Sequence, residues 1–467
     1  MKSGFRRRSN ANNRSVTVAA QKQRSYGAAR ASKRLRQHTT MIWMKRLLLF
    51  LAAVSMAYAQ TNYDLLLKGG HVIDPKNNID ALADVAIRDG KIAAIEPSIE
   101  ATRAKKTIQV NGLYVTPGLV DIHVHLFTTT GIPDAWAGDN SIRPDDFSFR
   151  TGVTTMVDAG SSGWRNFETF RHTVIDRART RVFAMINIAG FGMLTDIVEQ
   201  HPTEMRPDEV ARLARKHKDV VVGVKTAHYQ GPEWVSVERA VQAGESAGIP
   251  IMVDFGYFLK ERPYWQLVTE KLRPGDISTH AFRGPAPWIN DSGKVYSYLY
   301  EARKRGVKFD VGHGGGSLVF RNAVPAIKNE FYPDSISTDL HTGSMNGGMM
   351  DMPTTMSKFL VMGMPLKEVV LRSTWNPAQM IHHPEVGHLT AGSPADVAVW
   401  SLLDGNFGYV DASGGRLEGR QRLHCEMTLK DGRIAWDWSG RAATDYRQLP
   451  ADYGVRDVEF IVPPPKP

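Results

Sequence analysis

Short runs of apolar, mostly β-branched residues recur through the middle of the chain, and longer stretches with helical spacing separate them. Three of these stretches, Asp208–Lys218, Val235–Ala247 and Tyr296–Arg305, have the length and amphipathic pattern of helices. The apolar runs begin 27 to 38 residues apart and are Leu119–Val124, Val153–Val157, Val182–Ile188, Val220–Val224, Pro250–Val253, Ile277–Ser278, Val307–Val311 and Ser335–Ser337. Eight strand–helix units of this size predict an α/β fold, a (β/α)8 TIM-like barrel over residues 117–385. A doubly wound open sheet is the alternative.

The two ends of the chain carry a different, β-rich pattern. Their strand-like segments are Tyr63–Lys68, Val85–Ile95, Asp396–Trp400, Cys425–Leu429 and Arg433–Trp436. Asp-Gly pairs at 89–90 and 431–432 are typical of hairpin turns. The chain, at 467 residues, is longer than the roughly 250–300 residues at which a single core stops growing. We therefore expect residues 60–116 and 386–467 to pair into one small β-sandwich domain beside the barrel.

Positive charge is concentrated at the N-terminus. Residues 1–60 hold 13 of the 58 Lys and Arg residues and no Asp or Glu. The rest of the chain therefore has 45 basic residues against 48 acidic ones, so it is close to neutral. The basic balance of the whole chain consequently gives no reason to expect nucleic-acid binding by the folded part.

Residues 44–59 have the layout of a secretory signal peptide. A charged start is followed by the apolar run Leu47–Met56 and by a small-residue cleavage site ending at Ala59. This run is too short for a membrane span, so we expect export to a periplasm or beyond, with no stable membrane span after cleavage. Residues 1–43 are predicted to be a basic, disordered extension, and a basic membrane-anchored arm is the alternative. The single cysteine, Cys425, can form no internal disulfide.

The first apolar run ends in two histidines, His123 and His125. Side chains alternate between the faces of a strand, so these two imidazoles are expected to project together, with Val124 on the opposite face. Two neighbouring imidazoles at a strand end are suited to hold one metal ion. A pair of core or surface histidines is the alternative for a His-x-His motif alone.

The residues that end the other runs favour a metal site over core or surface histidines, because catalytic residues of such barrels lie at the C-terminal ends of the strands. Runs four to eight end in residues that bind metals or titrate: Lys225, Asp254, His280, His313 and Asp339. A strand-end lysine is usually solvated and a strand-end aspartate often caps a helix. Such residues on one rim of one predicted barrel indicate a metal site.

These residues resemble the amidohydrolase superfamily, and within it the deacetylase and dihydroorotase-like branch of metallohydrolases. The matching segments are 117–125 (PGLVDIHVH), 151–163 (TGVTTMVDAGSSG), 224–225, 278–284 (STHAFRG), 309–317 (FDVGHGGGS), 336–341 (ISTDLH) and 389–396 (LTAGSPAD). The resemblance covers about residues 62–437. Its motifs are specific for the superfamily, less so for the branch, and weak for the substrate.

The resemblance implies a centre of two divalent metal ions, most simply zinc, with manganese or iron as alternatives. It implies that His123, His125 and Asp339 bind the buried metal. It also implies that Lys225, carboxylated by CO2, bridges both metals.

The resemblance also implies that His280 binds the more exposed metal. At the neighbouring ligand position, on strand five, the chain differs from the family. The family's usual strand-five histidine is replaced by Asp254. A carboxylate is also a suitable ligand for these metals, so Asp254 is predicted to bind the second metal. If Asp254 does not bind, the site holds one metal firmly.

Hydrolysis of an amide requires a nucleophile at neutral pH and a proton for the leaving nitrogen. Metal coordination lowers the pKa of water from 15.7 to about 7, which supplies hydroxide for attack. Asp339 is predicted to accept the proton of the attacking group and to pass it to the leaving group. Burial favours the neutral amine of Lys225, which is the form that adds CO2.

Three further residues are predicted around the metals. His313, beside a run of three glycines, is assigned to the substrate or oxyanion, with a loop-anchoring role as its alternative. Arg283 is assigned to a substrate carboxylate, although an ordinary surface arginine is an equal alternative. His341 is predicted to orient Asp339 or its loop, with a solvent-exposed histidine as the alternative.

The sequence therefore predicts an exported metal-dependent hydrolase that cleaves the C–N amide bond of an N-acyl amino acid, as a deacylase or deacetylase, and that also accepts esters. A cyclic-amide hydrolase of dihydroorotase or hydantoinase type is the alternative within the same class. A barrel that has lost catalysis and serves as a binding protein is the alternative outside it. The expected partner is a small, carboxylate-bearing substrate, with homo-oligomerisation as a further expectation.

Overall fold

A computed structural model describes residues 63–133 and 135–455. The strands, in chain order, are β1 (Tyr63–Asp74), β2 (Ile79–Arg88), β3 (Lys91–Glu96), β4 (Ala104–Gln109), β5 (Tyr114–Pro117), β6 (Leu119–Val124), β7 (Val153–Gly163), β8 (Arg181–Asn187), β9 (Val221–Thr226), β10 (Ile251–Val253), β11 (Ile277–Ser278), β12 (Lys308–Phe309), β13 (Val397–Val410), β14 (Arg416–Lys430) and β15 (Arg433–Asp437). The α-helices of six residues or more are α1 (Phe167–Thr173), α2 (Pro207–Lys216), α3 (Val235–Ala247), α4 (Ser297–Lys304), α5 (Phe320–Lys328), α6 (Met352–Val361), α7 (Leu366–Ser373) and α8 (Trp375–Met380). Shorter turns are Trp136–Asp139, Pro144–Phe147, Tyr264–Gln266, Thr342–Met345 and the π-helical turn Leu267–Lys271.

The strands β6 to β12 form a seven-stranded parallel sheet whose order follows the chain. Its strands are buried on both faces, which explains why they read in the sequence as unbroken apolar runs. The predicted runs Leu119–Val124 and Ile277–Ser278 are strands with those bounds, and the predicted helix Val235–Ala247 is α3. The parallel α/β arrangement predicted from the sequence is therefore confirmed.

The eighth predicted run, Ser335–Ser337, is not assigned as a strand, but the segment 335–340 that contains it contacts both edges of the parallel sheet. A parallel bridge joins Asp310 to Ser335, and another joins Val124 to Leu340. The buried carboxylate of Asp121 on β6 also accepts hydrogen bonds from the backbone N and the hydroxyl of Thr338. The segment after β12 thus lies against the first strand of the sheet.

Both ends of the described chain contribute to a mixed eight-stranded sheet, in which β5 pairs with β1 on one side and β13 on the other. The predicted segments at both ends lie in these strands, and the hairpin β2–β3 turns at the predicted Asp-Gly pair. The sequence predicted a small β-sandwich domain built from both chain ends, and the structure joins strands from both ends in one mixed sheet. It also extends β13 and β14 into a long antiparallel ribbon that the sequence did not predict.

The two sheets are joined by packing around Trp400 on β13. Its indole N–H donates to Thr116 Oγ1 over 2.9 Å, and its ring lies against Gly152, where the chain enters β7. Gly152 has φ +76°, and a Cβ there would collide with the Trp400 ring. Glycine is required at this contact for both reasons.

The predicted basic extension 1–43, the predicted signal peptide 44–59 and the end of the C-terminal tail lie outside the described residues. Among the helices that the structure describes, none has both the length and the apolar character needed to cross a membrane.

Candidate metal centre

The predicted site residues meet at the C-terminal edge of the parallel sheet. His123 and His125 both lie at the end of β6 and are buried, with 1% and 2% of their surfaces exposed. Because they are two residues apart in a strand, their rings project to the same side, with centroids 5.6 Å apart. This is the arrangement that the strand periodicity predicted.

The first cluster at this edge is formed by His123, His125, Lys225 and Asp339. Asp339 Oδ1 lies 3.0 Å from His125 Nε2 and 3.6 Å from His123 Nε2. Lys225, fully buried at the end of β9, places Nζ 3.0 Å from His123 Nε2. Four residues from three separate segments of the chain thus direct donor atoms toward one another.

The second cluster is centred on Asp254, just after β10. Its Oδ2 lies 3.1 Å from His280 Nε2, and its Oδ1 accepts a hydrogen bond of 2.8 Å from Arg283 Nη1. The rings of His123 and His280 have centroids 5.0 Å apart, so the two clusters are adjacent. Ligand atoms of His123, His280 and Asp339 lie within 4.8 Å of one another, a spacing compatible with a metal ion.

His228 is a member of the second cluster that the sequence analysis missed. Its Nε2 lies 3.3 Å from Asp254 Oδ2, and its Nδ1 lies 2.9 Å from Glu199 Oε2. Glu199 is 2% exposed, and its other oxygen accepts a hydrogen bond from Asn187 Nδ2. His228 follows the end of β9 instead of lying on it, so strand alternation gave no signal for it.

The orientation of His123 is set by residues behind it. Its Nδ1 lies 2.8 Å from Thr279 Oγ1, which donates in turn to Asp310 Oδ2 over 2.7 Å. Because the hydroxyl donates to the carboxylate, Nδ1 is the protonated nitrogen of His123 and Nε2 is free to bind a metal. Asp310 is also held by Ser337, whose hydroxyl donates to it over 2.8 Å.

His125 is supported in the same way from β7. Its Nδ1 lies 3.0 Å from Ser161 Oγ. Asp158, buried on the same strand, accepts hydrogen bonds from the backbone N–H groups of Leu126 and Ser161. These contacts fix the end of β6 against β7 and hold the ring of His125 in place.

Electrostatics favour ionised carboxylates here, and burial shifts the lysine toward its neutral form. Burial alone would raise the pKa of Asp254, but the neighbouring charges of His280 and Arg283 hold that pKa well below its usual range. Burial likewise opposes ionisation of Asp339, and the adjacent imidazoles hold its pKa well below the usual value. Burial lowers the pKa of the Lys225 amine. The carboxylates are therefore ready to bind a cation.

His313 is fully buried, and protein groups engage both of its ring nitrogens. Its Nδ1 lies 2.9 Å from Gly314 O and its Nε2 lies 2.6 Å from Lys358 Nζ, which also donates to Val410 O. Burial and the charge of Lys358 lower the pKa of His313 to about 3. The predicted contact of His313 with substrate stays a prediction, and it would require Lys358 to release Nε2.

The glycines after His313 allow that loop to approach Asp339 closely. Gly314 has φ +52°, and a Cβ there would collide with Asp339 Oδ2. On the other side, Ser344 Oγ donates to Asp339 O over 2.8 Å and accepts from His341 N over 2.9 Å. Ser344 and the backbone of residue 341 thus hold Asp339, while the His341 ring accepts from Gly343 N, so the predicted orienting role of the His341 ring stays a prediction.

The donor set suits a divalent cation. Ligands around a tetrahedral ion at about 2.1 Å lie about 3.4 Å apart, close to the spacings found within both clusters. Imidazole nitrogens and carboxylate oxygens are the ligands that zinc, manganese and iron accept. The site can therefore hold a metal at the buried end of the sheet, next to the carboxylate of Asp339 and the amine of Lys225.

Comparison with known proteins gives a consistent result. The amidohydrolase family model matches residues 319–430. A deacetylase of Agrobacterium fabrum is 34% identical over 340 residues, covering 70% of this chain and 80% of that protein.

Among solved structures, an adenine deaminase matches with a TM-score of 0.72 and 28% identity, covering 80% of this chain and 100% of that one. A dihydroorotase matches with a TM-score of 0.69 and 30% identity, covering 79% of this chain and 98% of that one. The chain is therefore similar to hydrolases of C–N bonds in both sequence and fold.

Proposed function

This chain belongs to the amidohydrolase superfamily, as a hydrolase of C–N bonds, and we propose that its reaction is the metal-dependent removal of an acyl group from an N-acylated, carboxylate-bearing small molecule. The observation that carries this proposal is the convergence of His123, His125 and Asp339 on one point, with Lys225 beside them. The similarity to a deacetylase supports the choice of an acyclic amide. Ester cleavage is expected as a side activity of the same site.

The two clusters support a centre of two divalent metals, most simply zinc. His123, His125 and Asp339 would hold the inner metal, and Asp254 with His280 would hold the outer one. A neutral amine adds CO2, and burial shifts Lys225 toward that form, so we infer that Lys225 would hold both metals as a carbamate. Bound divalent ions supply Lewis acidity toward the water nucleophile and the scissile carbonyl.

Asp339 is the group we assign to proton transfer. Its Oδ1 faces the two imidazoles, and glycine at position 314 lets the backbone approach its Oδ2 closely. Its depressed pKa keeps it ionised at neutral pH, and we assign to this carboxylate the transfer of a proton from the nucleophile to the leaving nitrogen.

Arg283 is the group we assign to the substrate carboxylate. Its Nη1 is engaged by Asp254, but its side chain is 19% exposed and a guanidinium carries further N–H donors. The bond to Asp254 would hold the guanidinium beside the outer metal site. A carboxylate placed there would have its amide group directed toward the metals.

A cyclic-amide hydrolase is the second candidate, and the similarity to a dihydroorotase favours it. The two candidates use the same metal chemistry and differ in the shape of the substrate. Turnover of N-acetyl and N-formyl amino acids should be compared with turnover of dihydroorotate and hydantoins, all with zinc-loaded enzyme. Acyl release from the acyclic panel alone supports deacylation, ring opening alone supports the second candidate, and no turnover of either panel contradicts both.

We also propose that the enzyme is exported and that the parallel sheet closes into a (β/α)8 barrel. The charged start, apolar run and small-residue site of residues 44–59 support export. The bridges of Asp310 to Ser335 and Val124 to Leu340 support closure. N-terminal sequencing of protein recovered from the periplasm should give a mature start at Gln60, and recovery only of uncleaved chain in the cytoplasm would contradict export.

A further inference from the structure

His228 occupies an unusual place at the metal centre. It lies just beyond the end of β9, and its backbone has φ +54°, a left-handed conformation that is rare for residues with a Cβ. His280 and Asp339 share this conformation, with φ of 57° and 50°. Strained backbone of this kind clusters at functional sites, where the surrounding fold holds it in place.

Two imidazole nitrogens lie near one oxygen of Asp254, each at the spacing expected between two ligands of one ion. Oδ2 of Asp254 is 3.1 Å from His280 Nε2 and 3.3 Å from His228 Nε2. Ligands bound at about 2.1 Å in a tetrahedral site are about 3.4 Å apart. Both imidazole nitrogens therefore lie within ligand spacing of the same carboxylate oxygen, Asp254 Oδ2.

Hydrogen-bond accounting requires positive charge at that point. His280 Nδ1 lies 2.6 Å from Gly312 O and His228 Nδ1 lies 2.9 Å from Glu199 Oε2, so each Nδ1 donates to an acceptor. A neutral imidazole has one N–H, so both Nε2 atoms then direct lone pairs at Asp254 Oδ2. Either two additional protons or one divalent cation must lie among these three acceptors.

We propose that His228, Asp254 and His280 jointly bind the outer metal of this centre, through Nε2, Oδ2 and Nε2. This inference rests on the proposed function, because it assumes that the chain is a metal-dependent hydrolase. It adds a ligand, His228, from beyond the end of β9.

Glu199 and Arg283 fit the roles of positioning residues for this ligand set. Glu199 is buried and binds the Nδ1 of His228, as carboxylates behind metal-bound histidines commonly do. Arg283 occupies Oδ1 of Asp254 and so leaves Oδ2 for the metal. Replacing two protons with one divalent cation leaves the net charge of the cluster unchanged. The positive charge of Arg283 therefore repels the metal-bound cluster no more than the protonated, metal-free one.

The competing arrangement is an ion pair without metal. Burial opposes protonation of His228, but Glu199 and Asp254 raise its pKa well above the usual value in the metal-free protein. An imidazolium held between two carboxylates would then be a purely structural element. The two arrangements differ in whether loss of the imidazole removes a metal ion.

The test is metal content of the full chain, purified after expression with zinc and bicarbonate, and measured by elemental analysis. The wild-type protein is expected to hold two metals per chain, and His228→Ala one, with outer-site affinity for Co2+ reduced at least about 100-fold. Glu199→Gln is expected to weaken that affinity by about 10- to 100-fold. The visible absorption of the Co2+ form reports the outer site without reference to activity.

His217→Ala is the matched control, because His217 is a buried histidine paired with Glu168 over 2.8 Å outside the site. It should keep two metals. If His228→Ala does not fold, His228→Gln with Co2+ absorption decides the question. Two metals with unchanged affinity in the His228 variants would overturn the inference, as would one metal in both wild type and variant. No metal in folded wild-type protein would instead refute the proposed function.

Discussion

The hydroxyl of Thr279 should control how tightly the inner site binds its metal. It accepts from His123 Nδ1 over 2.8 Å and donates to Asp310 over 2.7 Å, and all three residues are buried. Thr279→Val keeps the shape of the side chain and removes both hydrogen bonds. His123 then loses the partner that fixes its tautomer and ring orientation.

The magnitude follows from the two buried hydrogen bonds. Each contributes about 1 kcal/mol, so their loss costs about 2 kcal/mol of binding free energy, or about 30-fold in metal affinity. This agrees with the 10- to 100-fold range that loss of a partner behind a metal-bound histidine typically causes. Asp310 keeps its bonds from Ser335 and Ser337, so the fold should be little affected.

The assay is competition for zinc between the protein and a chromogenic chelator at neutral pH, with thermal unfolding of the metal-free proteins as a check. Thr279→Ser restores the hydroxyl and should bind zinc nearly as tightly as wild type. If Thr279→Val binds zinc within about threefold of wild type, the hydroxyl does not position His123 and the reasoning fails.

Three further predictions concern catalysis, packing and the thiol. Asp339→Asn should lower kcat by about 10²- to 10⁴-fold, because the amide cannot carry the proton, and turnover near the wild-type rate would contradict the role of Asp339. Gly152→Ala should lower the free energy of unfolding by about 2–4 kcal/mol, measured with urea, since its Cβ would collide with Trp400 at a positive φ; an unchanged midpoint would contradict that contact. Burial raises the pKa of the Cys425 thiol from its ordinary value of 9.0 to about 12. The contribution of this thiol to the free energy of unfolding is therefore full below pH 9.0 and is lost as the pH rises toward 12. Cys425→Ala should flatten the loss of stability in that window, and Ellman's reagent should label wild-type protein at pH 8 only after unfolding.

Much of the parallel sheet could be predicted because burial on both faces leaves a simple pattern. The runs Leu119–Val124 and Ile277–Ser278 became strands with those bounds. The run Ser335–Ser337 did not, because the segment 335–340 is attached by isolated bridges and by the hydrogen bonds of Thr338 to Asp121 instead of a continuous ladder. The long ribbon of β13 and β14 escaped prediction because its outer part alternates between exposed and partly buried positions, without an apolar run.

Catalytic residues of such barrels lie at the strand ends, and this rule predicted most residues of the two clusters: His123, His125, Lys225, Asp254, His280 and Asp339. It missed His228, because a left-handed turn after β9, and not strand alternation, directs that ring to Asp254. It also missed Thr279 and Glu199, whose role is to bind the far nitrogens of His123 and His228. Such supporting residues depend on three-dimensional proximity, which a single sequence does not contain.

The central claim is that metals held by the two clusters drive hydrolysis of an amide. The most direct measurement is acyl release from a panel of N-acetyl amino acids by the full chain, first as purified with zinc, then after removal of metal by a chelator, and then after zinc and bicarbonate are returned. The account predicts turnover that disappears with the metal, returns with it, and is absent at every stage in Lys225→Ala. Turnover that survives complete removal of metal, or equal turnover by Lys225→Ala, would contradict it.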